Sequence, residues 1–167
     1  MKIIYLIRHA KSDWSIPGLP DIDRHLNPRG YRDAHRIGNK LKQSITGKFI
    51  LISSPAIRAI STALIIAREI DYSAGKIRIM RELYEAEEKM YYKIISSIEE
   101  DYDTVLIFGH NPTISNVFSW LTDTVPIELP TCSVSVIESD STNWSECADS
   151  KNKMTNQLFP SHLKEQD

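Results

Sequence analysis

The chain has 167 residues, of which 41% are hydrophobic and 25% are charged, and its formal net charge is -2. This length and apolar fraction predict a single domain over residues 1–167 with one buried core. The near-neutral charge argues against a nucleic-acid or membrane partner, and no apolar run approaches the roughly 20 residues that a bilayer span needs. Because no signal peptide precedes Arg8 and His9, a cytoplasmic protein is expected.

The first part of the chain predicts a strand, a long loop and a helix. Residues 1–8 (MKIIYLIR) form an apolar run of the strand type, and the loop over residues 10–27 is long enough to indicate a functional role. Asn27-Pro28 then predicts a helix, with Asn27 as its cap and Pro28 at its first position. A second predicted strand, residues 48–53, follows that helix.

The alternation of strands and helices continues through the middle of the chain. Ser54-Pro55 predicts the start of a second helix. Five residues are predicted to face inward from that helix: Ile57, Ile60, Ser61, Leu64 and Ala67. The elements expected after it are a weak strand over 76–80, a helix over 85–100, a strand over 104–109, a helix from Asn111-Pro112 to about 121, and an antiparallel or edge strand over 133–138.

The chain becomes polar from about residue 140, where Trp144 is one of the few apolar anchors. No internal repeat or linker interrupts the alternation of strands and helices. Such a pattern favours an α/β fold. We expect a three-layer α/β/α sandwich whose central sheet is mostly parallel, with an antiparallel edge strand.

Chemically active side chains follow three of the predicted strands. Arg8 and His9 end the first strand, Arg58 lies in the first turn of the helix after the second, and His110 follows the fourth. Because ligands bind beyond the carboxyl ends of parallel strands, these side chains are expected to share one site. Arginine side chains and helix amino termini both present N–H donors, so this site should bind a tetrahedral anion.

Two histidines in such a site leave several interpretations open. A neutral imidazole can attack phosphorus, but a histidine after a strand can also be structural. A metal pair of His9 and His110 is disfavoured, because the neighbouring arginines would repel a cation.

Glu82, the acid expected at a strand end, is either a proton donor or a salt-bridged surface residue. Neither Cys132 nor Cys147 has the arginine six positions later that a cysteine phosphatase needs.

Four segments resemble, in the same order, motifs of the histidine phosphatase superfamily, whose fold is phosphoglycerate mutase-like. YLIRHAKSDW is similar to the Arg-His-Gly motif, with Ala10 in place of glycine as in the SixA-like phosphohistidine phosphatases. DIDRHLNPRG resembles the loop before the first helix, SSPAIRAISTA the second arginine motif, and FGHNP the second histidine motif. The resemblance covers roughly residues 1–138 and is specific because the four motifs occur together.

The resemblance implies a role for each motif residue. It implies a phosphorylated nucleophile at His9 and a proton donor at Glu82, with His110 as a further catalytic residue. Four residues are implied to contact phosphate: Arg8, Arg58, His110 and Ser15, the last in place of an asparagine that many members have. We expect no metal and no cofactor in this site.

The substrate is less well defined than the chemistry. Only 28 positions separate Glu82 from His110, so the lid that encloses small substrates in larger members is absent from this segment. The resemblance therefore implies an open pocket, and the leading hypothesis is a phosphatase of phosphohistidine proteins. The alternative is a phosphomonoesterase for a small sugar, nucleotide or cofactor-pathway ester. A phosphate-sensing binding module is the non-enzymatic alternative, although such a module would need no nucleophile.

Overall fold

A six-stranded sheet organises the computed structural model of the protein, which describes residues 1–163. The strands are β1 (Lys2–Arg8), β2 (Phe49–Ser53), β3 (Arg78–Ile79), β4 (Thr104–Gly109), β5 (Val134–Ser139) and β6 (Asn152–Leu158). The helices are α1 (Pro28–Leu41), α2 (Ile57–Glu69), α3 (Glu88–Ser96) and α4 (Thr113–Thr122). Among the described residues, no helix is both long and apolar enough to cross a membrane.

The strand order is β3-β2-β4-β1-β5-β6, and the first four strands of this order are parallel. β5 is antiparallel to β1, and β6 is antiparallel to β5. The predicted α/β fold with a mostly parallel sheet and an antiparallel edge is confirmed. The edge strand is β6, however, and β5 is an inner strand. β6 is mostly polar and exposed, so backbone pairing rather than an apolar pattern defines it.

Alternating side chains of the central strands form two apolar layers, one on each face of the sheet. One layer includes Ile4 and Ile107 and packs against α3 and α4. The other includes Ile7 and Phe108 and packs against α1 and α2. This arrangement gives the three layers that the alternating sequence predicts.

The helix α1 begins as its sequence predicts. The Asn27 side chain accepts a hydrogen bond from the Gly30 amide at 2.8 Å, and Pro28 occupies the first helical position. Gly30 also allows the preceding loop to lie against the helix, because an added Cβ would be 2.2 Å from the carbonyl oxygen of Lys11. The start of α1 therefore fixes the path of the loop that follows β1.

The predicted start of α2 is wrong, and of its predicted inward face only Ala67 is buried, while Ile60 and Ser61 are half-buried. The helix begins at Ile57, with Ala56 rather than Ser54 before its first turn, and both Ile57 and Leu64 are exposed. Its buried residues are mostly small: Arg58, Ala59, Thr62, Ala63, Ile66 and Ala67. Small side chains let α1 and α2 approach closely, and an added Cβ on Gly38 of α1 would be 2.8 Å from the Glu69 side chain.

The helix α4 begins slightly later than the Asn111-Pro112 start that the sequence predicts. The helix begins at Thr113, and the Asn111 side chain makes two hydrogen bonds. Its amide donates to the carbonyl of Leu129 at 3.0 Å, and its oxygen accepts from the hydroxyl of Ser115 at 2.7 Å. These bonds connect the end of β4 to the segment that leads into β5.

The described part of the predicted polar tail folds back onto the sheet. The Trp144 side chain is fully buried, and the ammonium group of Lys2 lies 5.1 Å from the centre of its ring. The indole nitrogen donates to the carbonyl of Tyr102 at 2.9 Å. The final part of the tail, residues 164–167, lies outside the described residues.

Candidate active site

The carboxyl ends of β1 and β4 border a cavity of about 430 Å³. Arg8 pairs with Gly109 in the register of β1 and β4, so His9 and His110 follow at the same edge of the sheet. Arg58 reaches this edge from the first turn of α2. The four side chains that were expected to converge all line the cavity.

The hydrogen bonds of His9 define which nitrogen can react. Its Nδ1 lies 2.8 Å from the carbonyl oxygen of Ala10, which can only accept, so Nδ1 carries the proton. Its Nε2 is therefore unprotonated and accepts a bond from Nε of Arg58 at 3.3 Å. Burial, together with the positive charge of Arg58 and Arg8, lowers the pKa of His9 from 6.5 to about 3. His9 is thus neutral at physiological pH, with a lone pair available on Nε2.

His110 is a second neutral imidazole beside the first. The two ring centres are 5.1 Å apart, and Nε2 of His110 lies 2.7 Å from the hydroxyl oxygen of Ser54. Burial and the charge of Arg58 lower the pKa of His110 from 6.5 to about 4. The sequence predicts for Ser54 only a place at the start of a helix, and it contains no local signal for this long-range contact.

Two of the cavity arginines are held by oxygen atoms of neighbouring loops. Nη1 of Arg8 donates to the carbonyl of Leu129 at 2.5 Å and to the Glu128 carboxylate at 3.5 Å. Arg58 is only 5% exposed although it lies at a helix amino terminus, which disfavours a cation. The Asp21 carboxylate, 2.9 Å from Nη2 of Arg58, offsets that cost.

A third arginine, for which the sequence alone indicates no role, completes the basic wall of the cavity. Arg24 is buried, and its guanidinium lies 3.5 Å from the centre of the exposed Trp14 ring. Its Nη1 donates to the hydroxyl of Ser12 at 3.0 Å. Arg24 belongs to the segment that resembles the family's loop motif, and its burial depends on how the long loop folds over the strand ends.

Glu82 and Ser15 are not among the residues that line the cavity. The turn at residues 81–83 buries Leu83 and leaves Glu82 exposed, and Ser15 is exposed in the first loop, where its amide bonds Asp13. The acid from this part of the chain that does line the cavity is Glu85. Its positive φ of 55°, which is uncommon for a residue other than glycine, redirects the chain at this point.

The cavity combines positively charged donors with neutral histidines. Guanidinium groups bind the oxygen atoms of a tetrahedral anion, and a neutral imidazole nitrogen at 3.3 Å from one of them can reach the central atom. Among residues 1–163, no three histidine, cysteine, aspartate or glutamate side chains cluster as metal ligands. The described cavity therefore offers guanidinium donors for a tetrahedral anion and an unprotonated imidazole nitrogen next to them.

Two neutral histidines and buried arginines thus lie at the carboxyl edge of the parallel strands of an α/β sandwich. Residues 4–103 match the histidine phosphatase superfamily (branch 1), and the chain belongs to this family. An uncharacterized protein of Mycobacterium leprae is 35% identical over 120 residues, which cover 70% of this chain and 71% of that protein. A relative from Mycobacterium tuberculosis is 34% identical over 109 residues, or 65% of each chain.

Solved structures share the whole fold. The protein histidine phosphatase SixA complexed with tungstate has a TM-score of 0.83 at 18% identity, covering 97% of this chain and 99% of that one. Mycobacterial glucosyl-3-phosphoglycerate phosphatase has a TM-score of 0.67 at 11% identity, covering 92% and 97%. These likenesses confirm the expected phosphoglycerate mutase-like fold.

Proposed function

We propose that the protein is a phosphatase that transfers a phosphoryl group first to Nε2 of His9 and then to water. The observation that supports this most directly is the bonding of the His9 ring. The Ala10 carbonyl holds the proton on Nδ1, and Arg58 lies 3.3 Å from the free Nε2. An anion bound by Arg58 would therefore meet an unprotonated nitrogen.

The first step forms a bond between Nε2 of His9 and phosphorus and breaks the bond to the leaving group. An oxygen atom of the phosphoryl group replaces Nε2 of His9 as the acceptor of the hydrogen bond from Nε of Arg58. The lone pair on Nε2 is then free to attack phosphorus. Nδ1 keeps its proton, so the phosphorylated ring carries a positive charge. This charge makes the imidazole a good leaving group when water attacks phosphorus in the second step.

Glu85 is the proposed proton donor to the leaving group and acceptor of a proton from the attacking water. Both Glu85 and His110 line the cavity, whereas Glu82 does not. A leaving alkoxide needs a proton more than a phenolate does, so this role matters most for alkyl esters. His110 and Arg8 would bind the oxygen atoms of the transferred group.

The proposed substrate is a phosphohistidine protein. Support comes from the fold shared with SixA, which is named a protein histidine phosphatase, and from the exposed Trp14 on the cavity wall. A small-molecule phosphomonoesterase is the second candidate. The fold shared with glucosyl-3-phosphoglycerate phosphatase favours it, as does a cavity volume of about 430 Å³, which is sufficient for a small ester.

The two candidates can be separated by comparing kcat/KM for a phosphohistidine protein with kcat/KM for a panel of phosphate monoesters. We expect the parent to release phosphate from both, more efficiently from the protein, and His9→Ala to be slower by about 10³-fold or more. His162→Ala, which changes an exposed histidine outside the cavity, serves as the control.

Each alternative predicts a different result. A higher kcat/KM for one monoester than for the phosphohistidine protein would indicate a small-molecule enzyme. Binding of phosphate without release of phosphate from any substrate would indicate a binding module. A chelator should leave the rate unchanged, because the proposed steps use side chains only. Loss of activity on chelation would contradict the metal-free mechanism.

A further inference from the structure

Asp21 is a carboxylate within the basic cavity, and the steps proposed above assign it no role. It begins a short turn, Asp21–Asp23, in the loop that joins β1 to α1. Its Oδ1 accepts from Nε and Nη2 of Arg24 at 3.0 and 2.6 Å. Its Oδ2 accepts from Nη2 of Arg58 and from the hydroxyl of Tyr84, each at 2.9 Å.

These bonds hold the Arg58 guanidinium by one edge. The backbone carbonyl of Asp21 accepts from Nη1 at 2.6 Å, so Asp21 occupies the edge formed by the two terminal nitrogens. Nε is directed instead toward Nε2 of His9, at 3.3 Å. The edge that includes Nε therefore faces the nucleophile and is open to the oxygen atoms of a phosphoryl group.

One carboxylate thus joins two arginines from different elements, Arg24 in the loop and Arg58 in α2. Both guanidinium groups are buried, and without a shared anion their charges would repel each other. Partial burial raises the pKa of Asp21, but the hydrogen bonds from Arg24, Tyr84 and Arg58 lower it well below its ordinary value. The carboxylate is therefore ionised whenever the histidines are neutral.

We infer that Asp21 is a positioning residue that fixes the plane of the Arg58 guanidinium for phosphoryl binding. This inference rests on the proposed function, because it concerns the same site. The competing interpretation is an internal ligand that the phosphoryl group must displace. The edge that Asp21 occupies argues against displacement, because the phosphoryl group needs the opposite, Nε-containing edge.

The two interpretations predict opposite effects of Asp21→Asn on anion affinity. If Asp21 positions Arg58, the dissociation constants for inorganic phosphate and vanadate should rise by about tenfold or more, with KM rising more than kcat falls. If Asp21 is an internal competitor, both anions should bind more tightly. Unchanged or tighter binding by folded Asp21→Asn would overturn the inference.

The neighbouring carboxylate provides a matched control. Asp23 lies in the same turn and is exposed, and its carboxylate has no hydrogen bond or ion pair within the described residues, so Asp23→Asn should bind both anions like the parent. Tyr84→Phe should weaken binding in the parent but have little further effect in Asp21→Asn, since the hydroxyl acts through that carboxylate. Additive effects of the two changes would contradict the positioning role.

Thermal melting of each variant shows whether it is folded. If Asp21→Asn does not melt cooperatively, Asp21→Glu replaces it. That variant keeps the charge but moves the carboxylate, and the same loss of anion affinity is expected. Anion binding is measured without turnover, so it tests Asp21 even if the parent releases no phosphate, a result that would contradict only the proposed function.

Discussion

Acidification should destabilise the protein through the two histidines of the cavity. Burial lowers the pKa of His9 from 6.5 to about 3 and that of His110 from 6.5 to about 4. Between these values and 6.5, the unfolded chain binds more protons than the folded protein does. The free energy of unfolding therefore falls as the pH decreases through this window. Above the window, both rings are neutral in the folded and unfolded states, and no stability is lost through them.

Proton linkage gives the size of this effect. A histidine with a pKa of 6.5 when unfolded and about 3 when folded contributes roughly 2 kcal/mol less to the free energy of unfolding at pH 5 than at pH 7. His110 contributes a similar loss, because its folded pKa of about 4 also lies below pH 5. Together they account for roughly 4 kcal/mol, a large part of a typical stability of about 5–15 kcal/mol.

Urea unfolding followed by circular dichroism at pH 7 and pH 5 measures this difference. His9→Gln removes one of the two titrating rings, so the stability lost between these pH values should decrease by about half. His162→Gln, which removes an exposed ring outside the cavity, should lose as much stability as the parent. A loss in His9→Gln equal to that of the parent would refute the conclusion that His9 is neutral because it is buried.

Two further predictions concern the proton donor and the substrate. Glu85→Gln should lower kcat for an alkyl phosphate by about 10²-fold or more but lower kcat for p-nitrophenyl phosphate much less. Glu82→Gln should have a kcat close to that of the parent. The reverse ranking would indicate that Glu82 is the proton donor. Trp14→Ala should lower kcat/KM for a phosphohistidine protein by about tenfold while changing hydrolysis of a small ester less. Trp120→Ala, which removes another exposed tryptophan outside the cavity, is its control, and equal losses on both substrates would contradict a protein-binding role for Trp14.

The parts of the fold that could be predicted are those with strong local signals. The apolar runs of β1 and β4 and the Asn27 cap of α1 each depend on a few consecutive residues. Once the strands are parallel neighbours, their carboxyl ends must meet, so the convergence of Arg8, His9 and His110 also follows from the sequence. Their catalytic roles remain proposals.

The features that could not be predicted from the sequence depend on contacts between residues distant in the chain. β6 has no apolar alternation, because an edge strand is stabilised largely by backbone pairing with β5. The contact of Ser54 with His110 and the bridge formed by Asp21 depend on how a long loop folds over the sheet. Glu85 reaches the cavity through a positive φ that its residue type does not indicate.

In the proposed mechanism, Nε2 of His9 becomes phosphorylated during turnover. The most direct test is to mix the parent with substrate, quench the reaction in alkali, and locate the phosphoryl group by mass spectrometry of the peptides. We predict an acid-labile, alkali-stable adduct on His9 that is absent from His9→Ala. An adduct on His110 instead, or phosphate release by His9→Ala at the rate of the parent, would contradict the account.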